Sequence, residues 1–230
     1  MKQFFNILLF LAIAVIGQNA LANDNHNDIR IVIDVSGSMK KTDPLNLRIP
    51  AMKMLNGLIP DGSYAGVWNF GRSVNMTVKW GKVDQAWRQL ADIGAAKIHS
   101  NGLYTNIESA LARATLGWEK ADAKVNRSII LLTDGQVDIS KDVEKNKASR
   151  NIILSNSIQA LKKSGATVHA IALSKDSDET LLKQLALETD GSFETAESAQ
   201  ELQKIFLKLF ERATDPDTIE FEGDKFTIDK

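Results

Sequence analysis

Ile29-Arg30-Ile31-Val32-Ile33-Asp34-Val35-Ser36-Gly37-Ser38 is the stretch from which the rest of the chain can be read. Its first five residues are mostly β-branched and apolar, and short enough to be a strand. An aspartate and two serines then alternate at i, i+2 and i+4. On a loop leaving a strand, that spacing turns one carboxylate and two hydroxyls towards one point. Gly37 permits the turn that brings them round. Three oxygen donors suit a hard cation such as Mg²⁺. Mg²⁺ takes about six oxygens, so other ligands must come from elsewhere in the chain, from water or from a partner.

Working outward, residues 65–70, 128–132 and 168–173 are further short apolar runs. Nearly continuous apolar strands of this kind suit a sheet covered on both faces. Residues 76–80 are more polar and are expected to form an edge strand. Helical patterns occupy 51–58, 84–93, 106–118, 149–164, 178–189 and 199–213. Ala86, Trp87, Leu90 and Ile93 are the expected apolar face of the second. Asn106 is a plausible cap for the third, and Gly165 stops the fourth. Strands alternating with helices imply parallel pairing and an α/β layer fold.

Two other junctions offer ligands. Gly102-Leu103-Tyr104-Thr105-Asn106 places a hydroxyl just before a helix. Leu131-Leu132-Thr133-Asp134-Gly135 places a carboxylate at the end of a strand. In an open α/β sheet, ligands gather outside the carboxyl ends of the strands, where the strand order reverses.

From about residue 28 to 212 the chain resembles a von Willebrand factor type A domain. The match rests on Asp34-Val35-Ser36-Gly37-Ser38, on Thr105 followed by Asn106-Ile107-Glu108-Ser109-Ala110-Leu111, and on Thr133-Asp134-Gly135. The resemblance implies a Rossmann-like, doubly wound fold: a mostly parallel central sheet, helices on both faces, one antiparallel edge strand. It also implies a metal-ion-dependent adhesion site formed by Asp34, Ser36, Ser38, Thr105 and Asp134. The two serines and Thr105 would coordinate directly, and one or both aspartates directly or through water. The implied cofactor is a divalent cation, Mg²⁺ first, with Mn²⁺ or Ca²⁺ as alternatives. The implied partner is a protein offering a glutamate or aspartate carboxylate to the metal.

Other side chains have blander roles. Asp138 and Asp142 are read as solvating a long loop, and residues 141–147 as a solvated surface segment. Glu108 suits the start of a helix. Lys40 and Lys41 are a solvated pair, since two charges add little at physiological salt. His26, His99 and His169 share no metal-ligand spacing. The four tryptophans fall on strand or helix patterns and are expected to be core or half-buried.

Composition narrows the function classes. The chain has 230 residues, is 43% hydrophobic and 25% charged, and carries a formal charge of −1. That is a globular composition with no basic excess for nucleic acid or anionic lipid. Cysteine is absent, which removes disulfides, thiolate metal sites and cysteine nucleophiles. The sequence contains no GxxxxGK[ST], HExxH or GxSxG pattern. Nor is Asp34-Val35-Ser36 the DxD of an aspartate-nucleophile phosphatase. No candidate base accompanies the metal motif, so the chain is expected to be a binding module and not an enzyme. The rival is a metal-dependent hydrolase of phosphate or ester substrates.

The ends complete the organisation. Lys2, an apolar run over 7–16 and Ala20-Leu21-Ala22 form the pattern of a signal peptide over 1–22. Residues 23–27 are a flexible lead-in and 28–213 the domain. Residues 214–230 combine a linker, Asp215-Pro216-Asp217, with a hairpin pattern around Gly223-Asp224. An isolated hairpin is marginal in water, so it either docks on the domain or opens a second, β-rich one. A signal peptide without disulfides places the protein in a bacterial periplasm or at the cell surface.

Overall fold

The computed structural model describes residues 26–134, 136–173 and 177–214. The signal-peptide pattern, the hairpin pattern and Gly135 lie outside the described residues. Six strands form one sheet: β1 (His26–Asp34), β2 (Tyr64–Phe70), β3 (Val74–Lys82), β4 (Val125–Thr133), β5 (Ala166–Ala172) and β6 (Phe193–Thr195). Their order is β3-β2-β1-β4-β5-β6. All pairs are parallel except β2–β3. The expected edge strand is therefore the antiparallel one.

Alternation along β1 divides the core. Ile29, Ile31 and Ile33 face one apolar layer and Val32 the other. The first layer is closed by α2 (Arg48–Leu58), α3 (Gln85–Ala95) and α8 (Ala199–Thr214). The second is closed by α4 (Ile107–Ala114), α6 (Ile158–Ser164) and α7 (Glu179–Leu187). A short helix α1 (Met39–Thr42) follows the loop after β1, and α5 (Val143–Ile152) runs into α6 through a π-helical turn, Ile153–Ser157. Among the described residues no helix is long and apolar enough to cross a membrane.

The chain builds outward from β1 to β3, then returns to β4 and builds the other way. The order reverses between β1 and β4. Their carboxyl-terminal loops therefore part towards opposite faces and leave a crevice between them.

Several boundaries differ from the sequence pattern. The 106–118 helix ends at Ala114, because the Thr115 hydroxyl turns back to the Leu111 carbonyl (2.8 Å) and Gly117 adopts φ +87. Trp118 is buried, but beyond the helix. The fourth helical segment starts earlier than 149: Asp142 accepts from the Glu144 N–H (3.0 Å) and caps α5, so 143–147 are helical, and all but the half-buried Asn146 are exposed. The buried face of α3 is Trp87, Ala91, Gly94 and Ala95, while Leu90 and Ile93 point to solvent at 60% and 55% exposure. At about 100° per residue, positions 87, 91, 94 and 95 share one arc of the helix; Leu90 falls at the edge of that arc and Ile93 further round.

Candidate metal centre

The site sits at the crevice between β1 and β4. Asp34 ends β1 and is fully buried. Its Oδ1 accepts the Ser36 backbone N–H at 2.8 Å, and its Oδ2 accepts the Thr133 hydroxyl at 2.7 Å. The Ser36 and Ser38 hydroxyls lie 2.9 Å apart. Ser38 donates to Asp134 Oδ1 at 3.0 Å, and Thr42 donates to Asp134 Oδ2. Four of the five expected ligands, Asp34, Ser36, Ser38 and Asp134, thus belong to one hydrogen-bonded cluster.

Thr105 is brought alongside by its backbone. Gly102 N–H donates to the Val35 carbonyl at 2.7 Å, and Ser36 and Gly102 form a parallel bridge. Thr105 pairs with Asp138 in an antiparallel bridge, donating at 2.6 Å and accepting at 3.1 Å. The second loop is therefore tied to both the first and the third. Among the described residues the Thr105 hydroxyl makes no hydrogen bond to the other four ligands. Asn106 caps α4 by accepting from the Ser109 N–H (2.9 Å), which sets the loop's exit. Only glycine fits at 102, since a Cβ there would stand 2.7 Å from the Val35 carbonyl oxygen.

The electrostatics are unusual for a buried cluster. Burial pushes the Asp34 carboxyl up to about 6, against hydrogen bonds from Thr133 and Ser36 that pull it down, while the neighbouring Asp134 adds like charge. No lysine or arginine forms an ion pair with Asp34 or Asp134 among the described residues. Nor is there a metal-holding group of three or more His, Asp or Glu among them. A cation placed here would meet two carboxylates and several hydroxyls. Such an all-oxygen set, low in charge, fits a hard divalent ion.

Three contributors escaped the sequence. Thr42 on α1 holds Asp134, and Thr133, quoted only as part of a motif, holds Asp34. Arg48 is 1% exposed. Its Nη1 donates to the Asp34 backbone carbonyl (2.6 Å), its Nε to Asp43 (2.7 Å) and its Nη2 to Ser100 (2.8 Å). It locks the end of β1 to the end of α1 and to the loop before Gly102. Thr42 carries a faint signal, four residues beyond Ser38 in a helix. Arg48 carries none, because the contacts that tie it to the site, the Asp34 carbonyl and Ser100, are distant in sequence. Glu108 accepts from the Ser149 hydroxyl (2.6 Å) as well as standing in the first turn of α4.

A family model for the von Willebrand factor type A domain matches residues 28–208. The chain belongs to the von Willebrand factor type A domain family. Domains of this family generally mediate protein–protein interactions. A von Willebrand factor type A protein from Catenulispora acidiphila superposes with TM-score 0.68 at 21% identity, over 82% of this chain and 43% of that one. Proximal thread matrix protein 1 from the mussel byssus, solved with zinc in its metal-ion-dependent adhesion site, gives TM-score 0.62 at 25% identity, over 82% and 46%. Human calcium-activated chloride channel regulator 4 is 27% identical over 174 residues, 74% of this chain and 17% of that protein. The chain thus spans less than half the length of each of these relatives. Its Rossmann-like sheet, with one antiparallel strand, is that of a von Willebrand factor type A domain.

Proposed function

We propose that this von Willebrand factor type A domain is an exported module that binds a protein partner through a divalent cation, Mg²⁺ first, held by Asp34, Ser36, Ser38, Thr105 and Asp134. One observation carries the proposal: two buried carboxylates and a set of hydroxyls converge at the reversal point of the sheet, and no lysine or arginine among the described residues pairs with them. A bound cation would supply that countercharge and an open position for a carboxylate oxygen of the partner. The chain's own groups do the rest. Thr133 and the Ser36 amide hold Asp34, Thr42 and Ser38 hold Asp134, and Arg48 fixes the strand end beneath them. Export is supported by the signal-peptide pattern over 1–22 and by the matrix protein among the structural relatives.

The test is a crosslinked pull-down from envelope extract with Mg²⁺ and with EDTA, comparing wild type with Asp134→Ala. Capture that needs Mg²⁺ and disappears in Asp134→Ala supports the reading. Equal capture in EDTA overturns it. Turnover of phosphate esters by the Mg²⁺-loaded protein, lost in the same variant, would favour the hydrolase instead.

A further inference from the structure

At the other pole of the sheet a cavity of about 590 Å³ opens between the start of β1, β3 and the loop after α4. That volume lies in the range of small-ligand sites, about 300–1,000 Å³. Its position follows from the topology. Because β2 and β3 form an antiparallel hairpin, no crossover helix covers β3 on the α4 side. Met76 and Trp80 on that strand, and Leu116 opposite, are left 49%, 44% and 63% exposed.

The walls are aromatic and fixed. Trp80 stacks on Tyr64 (4.9 Å between centroids, 20° between planes) and donates its indole N–H to Asp28 at 2.9 Å. Trp118 donates to the same carboxylate at 2.7 Å and lies 3.8 Å beneath the Arg30 guanidinium. Rings held this way lose little freedom when a ligand arrives. The charge is unbalanced. Three arginines, Arg30, Arg113 and Arg127, line the cavity against one aspartate, and Asp28 is taken up by Arg30 at 3.0 Å. Arg127 donates to the Lys120 and Ser164 carbonyls, neutral acceptors, and its Nε has no acceptor. Arg113 is exposed and forms no ion pair among the described residues.

We infer that this cavity binds a small organic anion, with its acidic group taken by Arg113 and Arg127 and a flat apolar body laid against Trp80. Nothing in the cation site is involved, so the two ends of the domain act on different ligands.

The probe is 8-anilinonaphthalene-1-sulfonate, an aromatic monoanion, titrated into the full chain and read by energy transfer from tryptophan. Uncharged N-phenyl-1-naphthylamine is the control. Dye on the apolar run over 7–16 is common to every variant and cancels. The expected result is saturable binding, indifferent to EDTA and weaker by about tenfold in Arg113→Ala, the loss of one charge-assisted contact. Arg113→Lys should recover part of the loss, and Trp80→Leu should weaken dye binding while circular dichroism is unchanged, the transfer that remains coming from Trp68 and Trp118 on the same walls. Neutral and anionic probes binding equally well, wild-type affinity in Arg113→Ala, or no saturable binding would each overturn the inference.

Discussion

β1 carries a buried aspartate near each end, and the two are treated in opposite ways. Asp28, 4% exposed, accepts from the Arg30 guanidinium and from two indole N–H groups. Asp34, 0% exposed, accepts one hydroxyl and one amide, with a second carboxylate as neighbour. A buried charge costs several kcal/mol unless it is paired. At Asp28 the fold supplies the pair. At Asp34 no lysine or arginine among the described residues does so. The first aspartate is architecture; under the proposed function the second is a binding group held ready at a cost in stability.

The sharpest way to break this contrast is to remove each charge in turn. Asp28→Asn strands the Arg30 guanidinium, which is 6% exposed and which burial already depresses below its ordinary value against the pull of Asp28. The expected loss is about 3–5 kcal/mol, the cost of leaving one buried partner alone. Asp34→Asn should leave the cation-free protein as stable as wild type or more so, because it removes an unpaired carboxylate and keeps an oxygen for Ser36. Urea unfolding in EDTA measures both. Equal losses in the two variants would mean that Asp34 is structural as well.

The same contrast has a pH form. Asp34 has an ordinary value of 3.8 and sits at about 6 in the folded chain. Between these values the native state holds a proton that the unfolded state has released. Stability without cation should therefore fall as pH rises through this window and level off above about 6. The loss is on the order of 3 kcal/mol. A cation that takes the proton's place should bind more tightly as pH rises to about 6 and no more tightly beyond. Asp34→Asn should flatten both curves; a slope that survives the substitution belongs to other groups.

Adding cation to the wild type should reverse the loss directly. At about 100 times its dissociation constant a ligand stabilises the native state by about 2.7 kcal/mol. In a thermal scan Mg²⁺ should raise the melting temperature, EDTA should return it, and Ser36→Ala should blunt the rise. Ser36 lies 2% exposed in the crevice, so a variant that melts normally but no longer answers Mg²⁺ isolates its hydroxyl as a ligand.

Much of this was visible before any coordinates, and the pattern of what was not is physical. Four of the six strands follow from local apolar runs and β3 from a shorter, more polar one, while the antiparallel pairing of that edge follows from the family resemblance. The expected ligands follow from three short motifs, each confined to one loop. What escaped depends on contacts between distant segments or on weak local pattern. β6 has three residues, too few for an alternation to register. Within α5 only Ser149 is buried, so its first turns show no apolar stripe. Arg48 acts through a carbonyl 14 residues away and a serine 52 away. The cavity at the far pole depends on where α4 stops, and that is set by Thr115 and Gly117 against a helical pattern that runs on to Trp118.

The smallest effect tests how far the cation loops depend on their supports. Asn106 is not one of the proposed ligands, but its side chain caps α4 directly after Thr105. Asn106→Ala should cost about 1 kcal/mol, the usual worth of an N-cap. Thr105 is also held by the two backbone hydrogen bonds to Asp138. The cap's loss should therefore weaken Mg²⁺ binding only slightly, far less than Ser36→Ala does. Calorimetric titration of the two variants side by side decides the point. If Asn106→Ala weakens the cation as much as Ser36→Ala, the Thr105 loop is positioned by the helix rather than by its bridge to the third loop, and the site depends on α4 as much as on β1.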